Sequence, residues 1–170
     1  MKKSFKLLTL IVFAFFLQNC DPYDSDNYSE YEPILMNRPQ MERSISYTQP
    51  QQLQTPGKIY FKDDFILIGE KYKGIHVIDN SVPSMPVNIG FINVPGCVDM
   101  AMRYNALYVD NAVDLVTIDL SEGIENLEIT SRIQSVFPEH TPPDGKPLNP
   151  LFNQANRPVG TIITGWKKNN

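Results

Sequence analysis

The chain has 170 residues, of which 15 are basic and 19 acidic, for a formal net charge of −4 and a pI near 5.1. An acidic chain without a basic run in its body lacks the electrostatic footprint of a nucleic-acid binder, and it is an equally poor electrostatic partner for anionic lipid. Only two cysteines occur, Cys20 and Cys97, too few for a disulfide framework.

At the N-terminus, Lys2, Lys3 and Lys6 precede an apolar run from Leu7 to Leu17, followed by Gln18-Asn19-Cys20 and the acidic stretch Asp21-Pro22-Tyr23-Asp24. A basic start with an eleven-residue apolar run fits an export signal and is too short for a bilayer that needs about twenty. No A-x-A-like site for ordinary secretory cleavage lies nearby; plain secretion and an uncleaved anchor are the weaker alternatives. The stretch ending at Cys20 resembles a lipobox, where cleavage falls before the cysteine. That resemblance implies a signal peptide over residues 1–19 and lipid on Cys20. A single acyl chain binds membranes marginally, whereas the diacylglyceryl and amide-linked chains of such lipoproteins hold persistently. Loss of Met1 to Asn19 would remove three lysines and no acid, moving the net charge from −4 to −7. Acylation of Cys20 would also leave Cys97 without an intramolecular partner. Cys97 then reads as a small buried apolar residue, with a reactive thiol as the alternative.

Asp21 to Glu32 holds five acids, three tyrosines and no basic residue, and Pro-Gln-rich sequence continues through Gln49-Pro50-Gln51-Gln52 to Pro56-Gly57. Residues 20–56 read as the lipidated cysteine and a tether, disordered or extended over the surface. The acids after Cys20 resemble the export tag of Bacteroidetes lipoproteins that reach the outside of the outer membrane; a merely soluble acidic linker is the plain alternative.

From Lys58 to about Pro138, short apolar and β-branched bursts alternate with turn formers. Ile59-Tyr60-Phe61, Phe65-Ile66-Leu67-Ile68, Ile75-His76-Val77-Ile78 and Val87 to Ile92 are separated by Lys62-Asp63-Asp64, Asp79-Asn80-Ser81 and Pro83-Ser84-Met85-Pro86. This spacing predicts an all-β fold. The segment also repeats: Gly74 to Ser81 aligns with Asp114 to Ser121 at an offset of 40, and Phe65 to Ile68 with Ala106 to Val109 at 41. A unit of about 40 residues with four strands has the size of a β-propeller blade.

Gly74-Ile75-His76-Val77-Ile78-Asp79 and Asp114-Leu115-Val116-Thr117-Ile118-Asp119 resemble LVIVD repeats, named for an apolar strand ending in aspartate. The stretch from Pro56 to Pro138 is similar to the N-terminal part of LVIVD-repeat surface lipoproteins of Bacteroidetes, predicted β-propellers of unknown activity. The resemblance implies two blade-like repeats over residues 57–138. Propellers close with about four to eight blades, so two units leave their outer faces open. Residues 139–170 form an irregular Pro-rich tail with one strand-like run, 159–166, that could begin a third blade. The expectation is a short or truncated family member, or a subunit completed by another chain.

Candidate chemistry is sparse. Asp79 and Asp119 recur at matched strand ends two residues before serines, the pattern of Asx-type turns, and a repeated ligand site is the sharper alternative. Asp99, Asp110 and Asp114 cluster in sequence without the spacing of a calcium loop. His76, flanked by Ile75 and Val77, reads as a packed, hydrogen-bonded histidine. His140 lies in a Pro-rich loop with no zinc-type partners nearby in sequence. Tyr23, Tyr28 and Tyr31 in the tether and Tyr60, Tyr72, Tyr104, Tyr108 and Trp166 in the body could line a glycan- or protein-binding surface, although most of those in the body read first as sheet residues. No nucleophile elbow, phosphate loop or H-E-x-x-H helix occurs. No catalytic residue, cofactor or metal is therefore expected, and the only assigned site is lipidation at Cys20. The expected role is a lipid-anchored outer-membrane or cell-surface module that binds another envelope protein or a glycan. The rival expectation is a carbohydrate-active hydrolase or lyase with carboxylates such as Asp99 and Asp110 gathered in one pocket.

Overall fold

The computed structural model describes residues 27–169, so the signal segment, Cys20 and the first acids of the tether lie outside the described residues. Among the described residues, eleven strands form three antiparallel sheets, with one short α-helix between the first two strands. In the first repeat, β3 (Pro56–Lys62), β4 (Phe65–Glu70), β5 (Gly74–Asp79) and β6 (Val87–Asn93) run as a meander, extended at its outer edge by β2 (Ser46–Thr48). In the second, β7 (Met100–Arg103), β8 (Ala106–Asn111), β9 (Asp114–Asp119) and β10 (Glu128–Ile133) do the same. The fold is all-β, as the alternation of strand and turn residues predicts. Two-residue hairpins close at Asp63, Tyr104 and Ala112, each with φ near +50°.

The two repeats share one register. Tyr60 opposes Leu67, which opposes Val77; at the same places Ala101 opposes Tyr108, which opposes Thr117. Ile59, Ile68 and His76 are likewise matched by Met100, Val109 and Val116. Because strand side chains alternate between faces, each sheet has a front, carrying Tyr60, Leu67, Ile75 and Val77 in the first and Ala101, Tyr108, Leu115 and Thr117 in the second. Its back carries Ile59, Phe61, Ile66, Ile68, His76 and Ile78, or in the second Met100, Met102, Leu107, Val109, Val116 and Ile118. The front of the first sheet packs on the back of the second. Leu67, Ile75, Val77 and Ile92 meet Met100, Leu107, Val109, Val116 and Ile118 in the main core, all buried.

The tether expectation for residues 20–56 is corrected over the part described. β1 (Tyr31–Asn37) pairs antiparallel with β11 (Thr161–Lys168), and α1 (Arg38–Arg43) and β2 follow it. Glu30 and Glu32, the described acids of the Asp21 to Glu32 stretch, have partners far along the chain, and Pro39 has a place in a helix. Glu32 pairs with Lys167 at 3.2 Å and Glu30 with Lys168 at 3.1 Å. Pro39 sits in the first turn of α1, where its missing N–H costs nothing, behind an N-cap in which Asn37 accepts from the Gln40 N–H. Residues 49–55 then cross the back of the first sheet from β2 to β3. Asn88 donates to the Gln51 carbonyl, and the N–H groups of Gln54 and Thr55 reach Glu70. The extended surface path is thus a hydrogen-bonded strap.

The strand expected at 159–166 forms at Thr161–Lys168, yet it joins the N-terminal strand and does not open a further blade. Ile162, with Met36 and Met41, packs on Ala112 and Val113 at the tip of the β8–β9 hairpin.

Candidate functional site

Among several cavities in the described residues, one of about 380 Å³ lies on the front of the second repeat and gathers candidate acids that the sequence singles out. Its walls include Met100, Ala101, Tyr108, Leu115 and Phe137, and Asp99, Asp110 and His140 lie at its polar side. Local sequence explains the space. Where the first repeat places Tyr60, the second has the small Ala101, and no neighbouring sheet covers Tyr108, which is 36% exposed.

The two acids named by the sequence do converge here. Asp110 Oδ1 accepts the N–H groups of Val98 at 2.9 Å and Asp99 at 2.8 Å, and burial nevertheless raises its pKa above the ordinary aspartate value. Asp99 accepts from Lys58 Nζ at 2.7 Å and from the Met100 N–H at 2.7 Å; the lysine holds its carboxyl below the ordinary value. The two carboxyls are pushed in opposite directions by burial on one side and a cation on the other. His140 donates from Nε2 to the Gly96 carbonyl at 2.8 Å, and its ring lies 5.3 Å from that of Tyr72. Cys97 is 2% exposed, its thiol pushed well up by burial and the neighbouring Asp110, which suits a packed residue and not a nucleophile.

The other candidates lie elsewhere and are occupied. Asp79 and Asp119 accept the Ser81 and Ser121 N–H groups at 2.8 and 3.0 Å, the Asx turns their spacing predicts. His76 is fully buried, 3.1 Å from Glu70 and edge-on to Phe91. Asp114 is fully buried between Arg38 and Arg132, each at 2.8 Å, and also accepts the Ser135 N–H. Among the described residues, no cluster of three or more His, Cys, Asp or Glu could hold a metal, and no helix is long and apolar enough to cross a membrane. The aromatics do not form one platform. Tyr60 bridges the sheets through its hydroxyl to the Met102 carbonyl, Tyr104 is on an exposed hairpin tip, and Trp166 is buried in the third sheet.

Sequence reasoning missed Lys58, the partner of Asp99, and Phe137 in the cavity wall. A signal for Lys58 exists in the repeat itself, since the register places Lys58 and Asp99 at equivalent positions with opposite charge. No family model, curated protein or solved structure matches the chain.

Proposed function

We propose that the chain is a lipid-anchored β-repeat protein of the outer membrane or cell surface, related to the LVIVD lipoproteins, and that it binds another envelope component without performing chemistry. The apolar run ending at Cys20 supports the anchor, and the paired four-stranded units in one register support the repeat relationship. The open front of the second repeat carries the binding role. Its cavity is walled by apolar and aromatic side chains, while Asp110 and His140 are held by the backbone and Asp99 pairs with Lys58. In-cell photo-crosslinking from position 108, with exposed Tyr104 on the β7–β8 hairpin as the control position, tests this. An adduct specific to 108 is expected, and equal or absent adducts would reject it. Mass spectrometry of the native protein is expected to find a mature terminus at Cys20 carrying fatty acid, and Met1 retained or a terminus without fatty acid would reject the anchor.

A second reading is favoured by one observation: Asp99 and Asp110 share a cavity with pKa values shifted apart, as an acid and base pair requires. A carbohydrate-active hydrolase or lyase would use Asp110 as the proton donor and Asp99 as the base. That requires cleavage of an envelope polysaccharide that Asp110→Asn abolishes while leaving the fold's unfolding midpoint in place.

A further inference from the structure

The interface inside the molecule defines two complementary surfaces, and one of each is left open. The front of the first sheet is covered by the back of the second. The back of the first sheet and the front of the second have no sheet against them, although by register they are the same two surfaces. Ile59, 54% exposed, and Phe61, 68% exposed, stand where Met100 and Met102 are packed in the second repeat. On the other open surface, Ala101 and Tyr108 stand where Tyr60 and Leu67 are packed in the first. What is covered also corresponds. The strap over residues 49–55 closes the β5 and β6 side of the first back, over His76 and Phe91, and residues 137–140 close part of the second front. At the β3 and β4 side of one surface Ile59 and Phe61 stay exposed and Ile66 and Ile68 half-buried, and at the β7 and β8 side of the other Ala101 and Tyr108 stay exposed.

We propose, resting on the binding role of the second front, that the occupant of this face is a second copy of the chain, docked head to tail by the back of its first repeat. Phe61 of the incoming copy takes against Tyr108 the place that Met102 holds beside Leu67. Charge selects the same arrangement. Within one chain Lys58 at the front of the first repeat meets Asp99 of the second at 2.7 Å. The repeat equivalence of these two positions brings the incoming Lys58 to the free front's Asp99, so opposite charges meet again at the new junction. Both side chains have room for a second partner, being 47% and 68% exposed. A head-to-tail contact closes into a ring when its rotation divides the circle. With two blades per chain, rings of about four to eight blades correspond to about two to four copies.

The test is light scattering with size-exclusion chromatography on the full chain across a wide dilution series, for the wild type, Phe61→Lys and Tyr108→Lys. The wild type is expected to dissociate on dilution from a closed oligomer. Each variant, with one surface blocked and circular dichroism showing the fold retained, is expected to be a single chain. Mixing the two variants should restore a species of two chains and no larger, because each supplies the surface the other lacks. A wild type that is one chain at every concentration overturns the proposal, as do blocked variants that still associate, the behaviour that lipid-driven clustering would show, or a mixture that yields no two-chain species. If the chain stays single while position 108 crosslinks a different molecule, this inference fails and the binding role stands; if no 108-specific adduct forms, both fail.

Discussion

His76 Nε2 lies 3.1 Å from Glu70 Oε2 with both side chains buried, and the same carboxylate takes the N–H groups of Gln54 at 3.0 Å and Thr55 at 2.6 Å. One acid thus fastens the strap to the back of the first sheet, at a place where the second repeat has Asn111 and Val116 and no strap.

Acid should release that strap. Burial alone would raise the Glu70 pKa, yet the two backbone donors and His76 bring it below its ordinary 4.5. A carboxyl depressed in the folded state contributes stability that is complete above pH 4.5 and is lost as pH falls through the folded value. Glu70→Gln should flatten this part of the pH profile. Denaturant midpoints for both proteins between neutral and acid pH check it; parallel profiles would show that Glu70 is not the group involved.

Asp114 is a fully buried charge held by two arginines, and removing it leaves Arg132 without an acid and Arg38 with only the partly exposed Glu42 at 3.3 Å. Asp114→Ala should destabilise by about 3–5 kcal/mol, the range for breaking a buried pair. Its own pKa is held below the ordinary value, with the Ser135 N–H and the two arginines outweighing burial. Its contribution is therefore also lost toward acid. Urea unfolding with an unchanged slope and a shifted midpoint is the expected result.

Gly74 and Gly145 both have positive φ, 147° and 70°, but only one is crowded. A Cβ at Gly74 would lie 2.0 Å from the Ile92 carbonyl oxygen, which belongs to a paired strand and cannot yield; a Cβ at Gly145 meets nothing within 4 Å. Gly74→Ala should cost more than about 2 kcal/mol, and Gly145→Ala about 1 kcal/mol from backbone strain alone. Thermal unfolding of the two variants side by side measures the difference.

The N-terminal and C-terminal strands should behave as one unit. Trp166 is 8% exposed, and its removal to alanine costs about 3–5 kcal/mol in a packed core. Hydrogen exchange should show β1 and β11 amides protected together in the wild type and released together in Trp166→Ala. Fast exchange of β1 in the wild type would mean that residues 31–37 are the tether their composition suggests.

Much of the fold is legible in short stretches of chain. The strand bursts, the hairpins at Lys62-Asp63-Asp64 and Asp79-Asn80-Ser81, the 40-residue repeat and the Asx turns of Asp79 and Asp119 depend on neighbours a few residues apart. Alternation of apolar and polar side chains and the backbone preferences of turn residues act over that range, so they appear in the letters themselves. The contact between Asp99 and Asp110 has a local cause as well, because a two-residue hairpin and one register bring positions 11 apart together, although the residues alone raise it only under the rival reading.

Tertiary structure alone decided the rest. Thr164 donates to the Ile34 carbonyl across 130 residues, and Arg38 reaches Asp114 across 76. Nothing local in Tyr31 to Asn37 distinguishes an acidic linker from a strand. Its pairing becomes favourable only when β11 arrives to satisfy its backbone groups and Lys167 and Lys168 arrive to face Glu32 and Glu30. Partners set by chain folding, and not by adjacency, leave no periodic trace in composition. They determined where the Pro-Gln segment lies, which acid is buried, and which two faces of the repeats remain uncovered.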